Sequence, residues 1–175
     1  DVQYLRAKSD VIISGSGTVK IDNPSLNVRI ENGLQPLRII CNSSGDLFKN
    51  FQNLNLYKTQ EKNKILNKFN FLIAHTNLNY KNHEQGLYFS NKNNLNKQKV
   101  DLENVLNYCH EHNLSEVLIE AGSVLTSAFL NENLIDELWI YLAPCFLGSG
   151  AREMFNLPEI LNLEQENKWV IKSSK

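Results

Sequence analysis

The stretch VLIEAGSVLTSAF, residues 117–129, decides the fold. Val117 to Ile119 is a short apolar run of the kind that forms a buried strand. From Ser123 onward the apolar residues take helical spacing. Glu120, Ala121 and Gly122 stand between them. A strand that runs through glycine directly into a helix is the joint from which α/β sheets are built. Such a helix start leaves backbone N–H groups unpaired at the positive end of the helix dipole. Glycine lets a ligand approach that backbone closely, and a pyrophosphate fits there. The same residues also suit an ordinary strand-to-helix turn capped by Ser123. Glu120 adds weight to the first reading, because sheet ligands bind at the carboxyl ends of strands and a carboxylate there must be solvated, bonded or functional.

Working outward, the pattern repeats. Val2, Leu5 and Lys8 mark a short amphipathic helix, and DVIISG (10–15) is a buried strand ending at glycine. PLRIICNSSG (36–45) reads as a strand and turn, and FNFLIAH (69–75) and GLYFS (86–90) as two more strands. Leu102, Val105, Leu106 and Cys109 lie on one face of a helix over LENVLNYCHEHN (102–113). The helix SVLTSAFLNEN (123–133) is followed by DELWIYLAPCFLG (136–148), a sixth strand ending at Pro144, and by NKWVIKS (167–173), a seventh. The Asn- and Lys-rich stretch from 50 to 99 reads as peripheral loops and one helix around its strands. The alternation predicts one α/β domain over residues 1–175, a sandwich with a mainly parallel central sheet.

The chain has 175 residues, 42% hydrophobic, with a formal net charge of -1. That suits a globular domain with its own core and excludes a basic nucleic-acid-binding field. No apolar run approaches the roughly 20 residues of a membrane span. Cys41, Cys109 and Cys145 are odd in number and set in apolar surroundings, so they read as small core residues in a reducing, cytoplasmic compartment. The opening without methionine and the truncated-looking end read as a piece of a longer protein.

The other glycine stretch is SGSGTVKIDNPSL, residues 14–26. A dinucleotide fingerprint starting at Gly15 needs glycine at position 20, which is lysine, and the Walker pattern is absent. By spacing it reads as a glycine turn and loop after a strand, and whether it also sets Thr18 and Asp22 beside something reactive stays open at this point. Arg6 and Arg29 flank it, and arginine forks match phosphate oxygens, although a lone arginine is more often a surface charge. His110 and His112 lie two apart on a helix and so diverge, which argues against a metal site. No serine-hydrolase elbow is present.

Two segments carry a resemblance. LRAKSDVIISGSGTVKIDNPSLNVR (5–29) and VLIEAGSVLTSAFLNENLIDELWIYLAPCFLGSGAREMF (117–155) resemble the reductase domain of the bifunctional riboflavin-biosynthesis deaminase/reductase, the RibD C-terminal domain family. The resemblance implies a dihydrofolate-reductase-like three-layer sandwich with a mixed, mainly parallel sheet. It implies NADPH-dependent reduction of the ribosyl group of 5-amino-6-(5-phosphoribosylamino)uracil to ribityl, by hydride delivery to C1′ of the ring-opened Schiff base. By the same resemblance Thr18, Asp22, Ser43, Gly122, Ser123, Val124 and Leu125 contact the cofactor. Arg6, Leu26, Arg29 and Glu120 contact the phosphorylated substrate. The pyrophosphate cradle is then EAGSV, and 14–26 is the catalytic-side wall, with Asp22 assisting proton transfer through a carboxyl raised by desolvation. A homodimer and an N-terminal zinc deaminase domain are implied as well. The family's first strand and part of its last are missing from these residues. Two alternatives stand: another dihydrofolate-reductase-like enzyme acting on a pterin or folate, and a non-catalytic nucleotide-binding module.

Overall fold

The computed structural model describes residues 1–60, 62–63, 68–89, 99–159 and 169–173. Helix α1 (Val2–Lys8) leads to strand β1 (Val11–Gly15), and helix α2 (Ser16–Asp22) follows at once. After β2 (Leu37–Cys41), two 3-10 turns lead into the single-turn helix α3 (Asn55–Lys58). A small antiparallel pair, β3 (Lys62–Asn63) and β4 (Lys68–Phe69), precedes β5 (Phe71–His75) and β6 (Gly86–Tyr88). Helix α4 (Leu102–Glu111), strand β7 (Val117–Ile119) and helix α5 (Ser123–Asn131) follow.

The main sheet has the order β6-β5-β2-β1-β7, and every neighbouring pair is parallel. A parallel sheet must be covered on both faces, so its strands are apolar on both. The side chains alternate accordingly. Val11, Ile13, Leu37, Ile39, Leu72 and Ala74 enter one core layer with Val105 and Cys109 of α4 and Phe129 of α5. Ile12, Ile40, Phe71 and Ile73 enter the other, with Val19 of α2, Leu26, Phe48 and Leu56 of α3. Two helical layers therefore sandwich the sheet.

Arg38 breaks the apolar alternation. It is buried in β2, and its guanidinium donates to the carbonyls of Ser25 and Asn70, the Asn70 side chain and the Thr59 hydroxyl. A charge is tolerated inside when carbonyl and amide oxygens surround it in this way.

Four expectations need correction. Residues 16–22 are a helix and not a loop: Gly15 is its extended N-cap, Val19 anchors it in the core, and left-handed Asn23 before Pro24 stops it. The sixth strand does not form. Residues 138–147 lie outside any strand, and Trp139, Leu142 and Phe146 are exposed. β7 is the edge of the sheet, and among the described residues nothing pairs with its outer side, so this strand-forming sequence has no ladder to join. The described part of the seventh, residues 169–173, is also unpaired, although Lys172 donates to Glu137; residues 167–168 lie outside the described residues. Cys145 is exposed, unlike buried Cys109 and half-buried Cys41, and all three are free thiols. Among the described residues no helix is long and apolar enough to cross a membrane.

Candidate active site

Because β1, β2 and β7 are parallel, their carboxyl ends share one rim of the sheet. β1 ends at Gly15 and passes into α2. β7 ends at Ile119, and the Glu120 N–H still bonds the Ile13 carbonyl at 3.0 Å, so Glu120 is fixed at the strand's mouth. Gly122 then caps α5 in extended conformation, with no side-chain hydrogen bond closing the helix start. The first-turn N–H groups of α5 are left for solvent or a ligand, at the positive end of a nine-residue helix.

The two glycine segments face each other. A Cβ placed on Gly122 would meet Thr18 Oγ1 at 3.7 Å, and one on Gly15 would meet Leu125 Cδ2 at 3.6 Å. Gly17, Gly122 and Val124 are open to solvent along this rim. Thr18 and Asp22 are one helical turn apart, on the same face of α2. Asp22 stands exposed at the helix end, and the protein alone does not wall it in.

Arg6 and Glu120 meet directly. Arg6 Nε and Nη2 donate to Glu120 Oε2 and Oε1 at 2.8 and 2.6 Å, a fork-to-fork ion pair, and Nη1 donates to the Asn27 carbonyl at 3.0 Å. The Arg6 side chain is only 11% exposed. Much of its charge is therefore spent on Glu120. Arg29 lies exposed on the segment beyond α2, its backbone N–H held by Gln3 Oε1 at 2.7 Å. Leu26 differs again: the whole residue is buried, its side chain lies in the core and its φ is +50°, so it presents almost no surface to a ligand.

Ser43 follows β2. Its Oγ accepts from the Val100 N–H at 2.9 Å, which leaves its own O–H free to donate. The turn around it is braced by Asp46, whose carboxylate accepts from Lys20 Nζ at 2.6 Å and Asn42 Nδ2 at 2.8 Å. Lys20 first, then Asn42, hold the Asp46 carboxyl down to about 2. The Lys20–Asp46 pair ties α2 to the Ser43 turn, a link the sequence did not announce. Further along the rim, His75 at the end of β5 is buried against Phe48 at 5.0 Å, and burial lowers its pKa.

The RibD C-terminal domain model matches residues 1–174. The chain belongs to the RibD C-terminal domain family. This RibD C-terminal domain is 34% identical over 180 residues to "Riboflavin biosynthesis protein RibD" of Buchnera aphidicola subsp. Baizongia pistaciae, covering 93% of this chain and 45% of that protein. It is 32% identical to the "5-amino-6-(5-phosphoribosylamino)uracil reductase" of Buchnera aphidicola subsp. Acyrthosiphon pisum, covering 99% of this chain and 84% of that protein. Acinetobacter baumannii RibD superposes with a TM-score of 0.75 at 30% identity, over 96% of this chain and 44% of that one. The chain thus spans about half the length of the RibD proteins it matches. The sandwich described above is the dihydrofolate-reductase-like fold of that family.

Proposed function

We propose that this RibD C-terminal domain is an NADPH-dependent reductase that converts the ribosyl group of 5-amino-6-(5-phosphoribosylamino)uracil to ribityl. One observation carries the reading: the uncapped start of α5 and the Thr18 face of α2 converge at the carboxyl ends of β7 and β1, so closely that a side chain added at Gly122 would meet the Thr18 hydroxyl. Ligands of open α/β sheets bind at such a rim, and the free N–H groups of α5 suit a pyrophosphate. Gly122, Ser123, Val124 and Leu125 would hold that group, while Thr18, Asp22 and the Ser43 hydroxyl line the rest of the cofactor's path. When bound, the nicotinamide supplies the hydride, which together with a proton turns the ring-opened imine into the amine.

The chain's own residues bind, orient and move the proton. Arg29 is the exposed cation for the substrate phosphate. Arg6 shapes the pocket together with Glu120. Asp22, on the same face of α2 as Thr18, would orient the cofactor and assist the proton transfer. Asp22→Asn should lower kcat more than it weakens NADPH binding. Unchanged turnover with weaker binding would leave Asp22 a cofactor contact only.

The open edge of β7 and the exposed apolar run 138–147 support two further elements of this reading. One is a strand supplied from outside residues 1–175. The other is burial of the remaining apolar surface in a homodimer. The greater length of the RibD relatives supports attachment to a further domain, which we take to be an N-terminal zinc deaminase, and we take the protein to be cytoplasmic. The test of the cofactor site is Gly122→Asp, which sets a carboxylate against the helix start. NADPH affinity should fall about tenfold or more, with the fold retained. Unaltered affinity would remove α5 from the cofactor site.

A further inference from the structure

The segment leaving α2 carries Leu26 and Arg29, and its backbone is held by side chains from elsewhere in the chain. Asn55 donates from its N–H to the Asn23 side chain and from its Nδ2 to the Asn23 carbonyl. Arg38 holds the Ser25 carbonyl and Arg6 the Asn27 carbonyl. Residues 28 and 29 belong to no strand or helix, yet the N–H of each is taken by a glutamine. Gln35 accepts from the Val28 N–H at 2.9 Å and donates Nε2 to the Val28 carbonyl at 2.9 Å. Gln3, on α1, accepts from the Arg29 N–H at 2.7 Å. The Gln35 amide therefore replaces the neighbouring strand that Val28 lacks.

The loop this closes is tight. The Gly33 N–H bonds the Ile30 carbonyl at 3.0 Å, Asn32 is left-handed at φ +58°, and a Cβ on Gly33 would stand 2.5 Å from Val28 Cγ1. Gln3 and Arg6 are three apart on α1, so one helix face grips both Asn27 and Arg29. An exposed arginine on a loose loop loses much backbone and side-chain freedom when it binds an anion, and a fixed backbone removes part of that loss beforehand.

We propose that Gln3 and Gln35 are positioning residues that fix the backbone of residues 28–29 and so aim the Arg29 guanidinium at the phosphate of the substrate. This rests on the reading above that Arg29 holds that phosphate. The test is a double-mutant cycle in the full-length protein, with kcat, KM for the phosphorylated substrate and Tm measured for each variant. Arg29→Ala should raise KM about tenfold to a hundredfold. Gln35→Leu and Gln3→Leu should each raise KM about fivefold, with kcat within about twofold, and should raise it no further in the Arg29→Ala background.

Equal effects of the glutamine variants with and without Arg29 would mean general loosening of the fold and overturn the proposal. So would an unchanged KM in both glutamine variants while Arg29→Ala raises it. If Arg29→Ala itself leaves KM unchanged, the phosphate reading fails and takes the proposal with it. Should Gln35→Leu not fold, Gln3→Leu carries the same cycle, because Gln3 bonds an exposed N–H and fills no core position.

Discussion

Removing the Glu120 carboxylate should cost the fold a measurable amount, because Arg6 depends on it. Arg6 makes three hydrogen bonds, two of them charge-assisted to Glu120 at 2.6 and 2.8 Å. Its side chain is 11% exposed, and that of Glu120 is 32% exposed. Exposed ion pairs contribute about 0–1 kcal/mol, whereas stripping one partner from a buried pair costs about 3–5 kcal/mol. This pair has one nearly buried member and one a third exposed, so Glu120→Ala should cost about 2 kcal/mol. In a domain of this size about 1 kcal/mol moves Tm by about 2–4 °C, which predicts a drop of about 4–8 °C. Glu120→Gln keeps the shape and one acceptor and should lose about half as much. Thermal unfolding followed by circular dichroism reads both variants, and high salt should change the result little because the pair is largely shielded. A Glu120→Ala protein melting within about 1 °C of the natural one would show that the pair holds nothing, and Glu120 would then be free to serve the substrate alone.

Gly33→Ala drives a methyl against Val28, so it should destabilise by about 1–3 kcal/mol and raise KM through Arg29; melting and kinetics on one preparation check both. His75 is buried and its pKa lies below 6.5, chiefly through desolvation, so the unfolded chain binds the proton more readily. The stability it permits is complete above about pH 6.5 and falls as pH drops toward the folded value. His75→Phe should flatten that part of the urea-unfolding pH profile. Burial raises Cys41 to about 12 and Cys109 to about 11, while Cys145 is exposed, so one thiol should react quickly with a maleimide and two only on unfolding.

The sheet was legible in the sequence because its strands are continuous apolar runs bounded by glycine, asparagine and proline, and burial on both faces demands such runs. The joint at residues 117–129 was legible for the same reason, and the structure sets it on the site rim opposite Thr18. Helix α2 was not, because its first and last residues are turn formers. Gly15, Asn23 and Pro24 punctuate a loop as readily as they cap a helix, and only Val19 reaching the core decides between them. Strand-like runs at 138–147 and 169–173 misled because β propensity reports fitness for a pleated surface, and the outer edge of β7 offers no partner among the described residues. The ion pair of Arg6 and Glu120, the Lys20–Asp46 brace and the Gln35 clamp join residues 114, 26 and 7 positions apart. Such pairings follow from the fold and leave no local pattern to read.

The most direct test of the central claim is to mix the full-length protein with NADPH and 5-amino-6-(5-phosphoribosylamino)uracil and to follow NADPH absorbance, with dihydrofolate as the control. NADPH loss with the phosphorylated pyrimidine and none with dihydrofolate is the predicted result. No loss with either, while NADPH still raises the melting temperature, would contradict the reductase and leave a nucleotide-binding module.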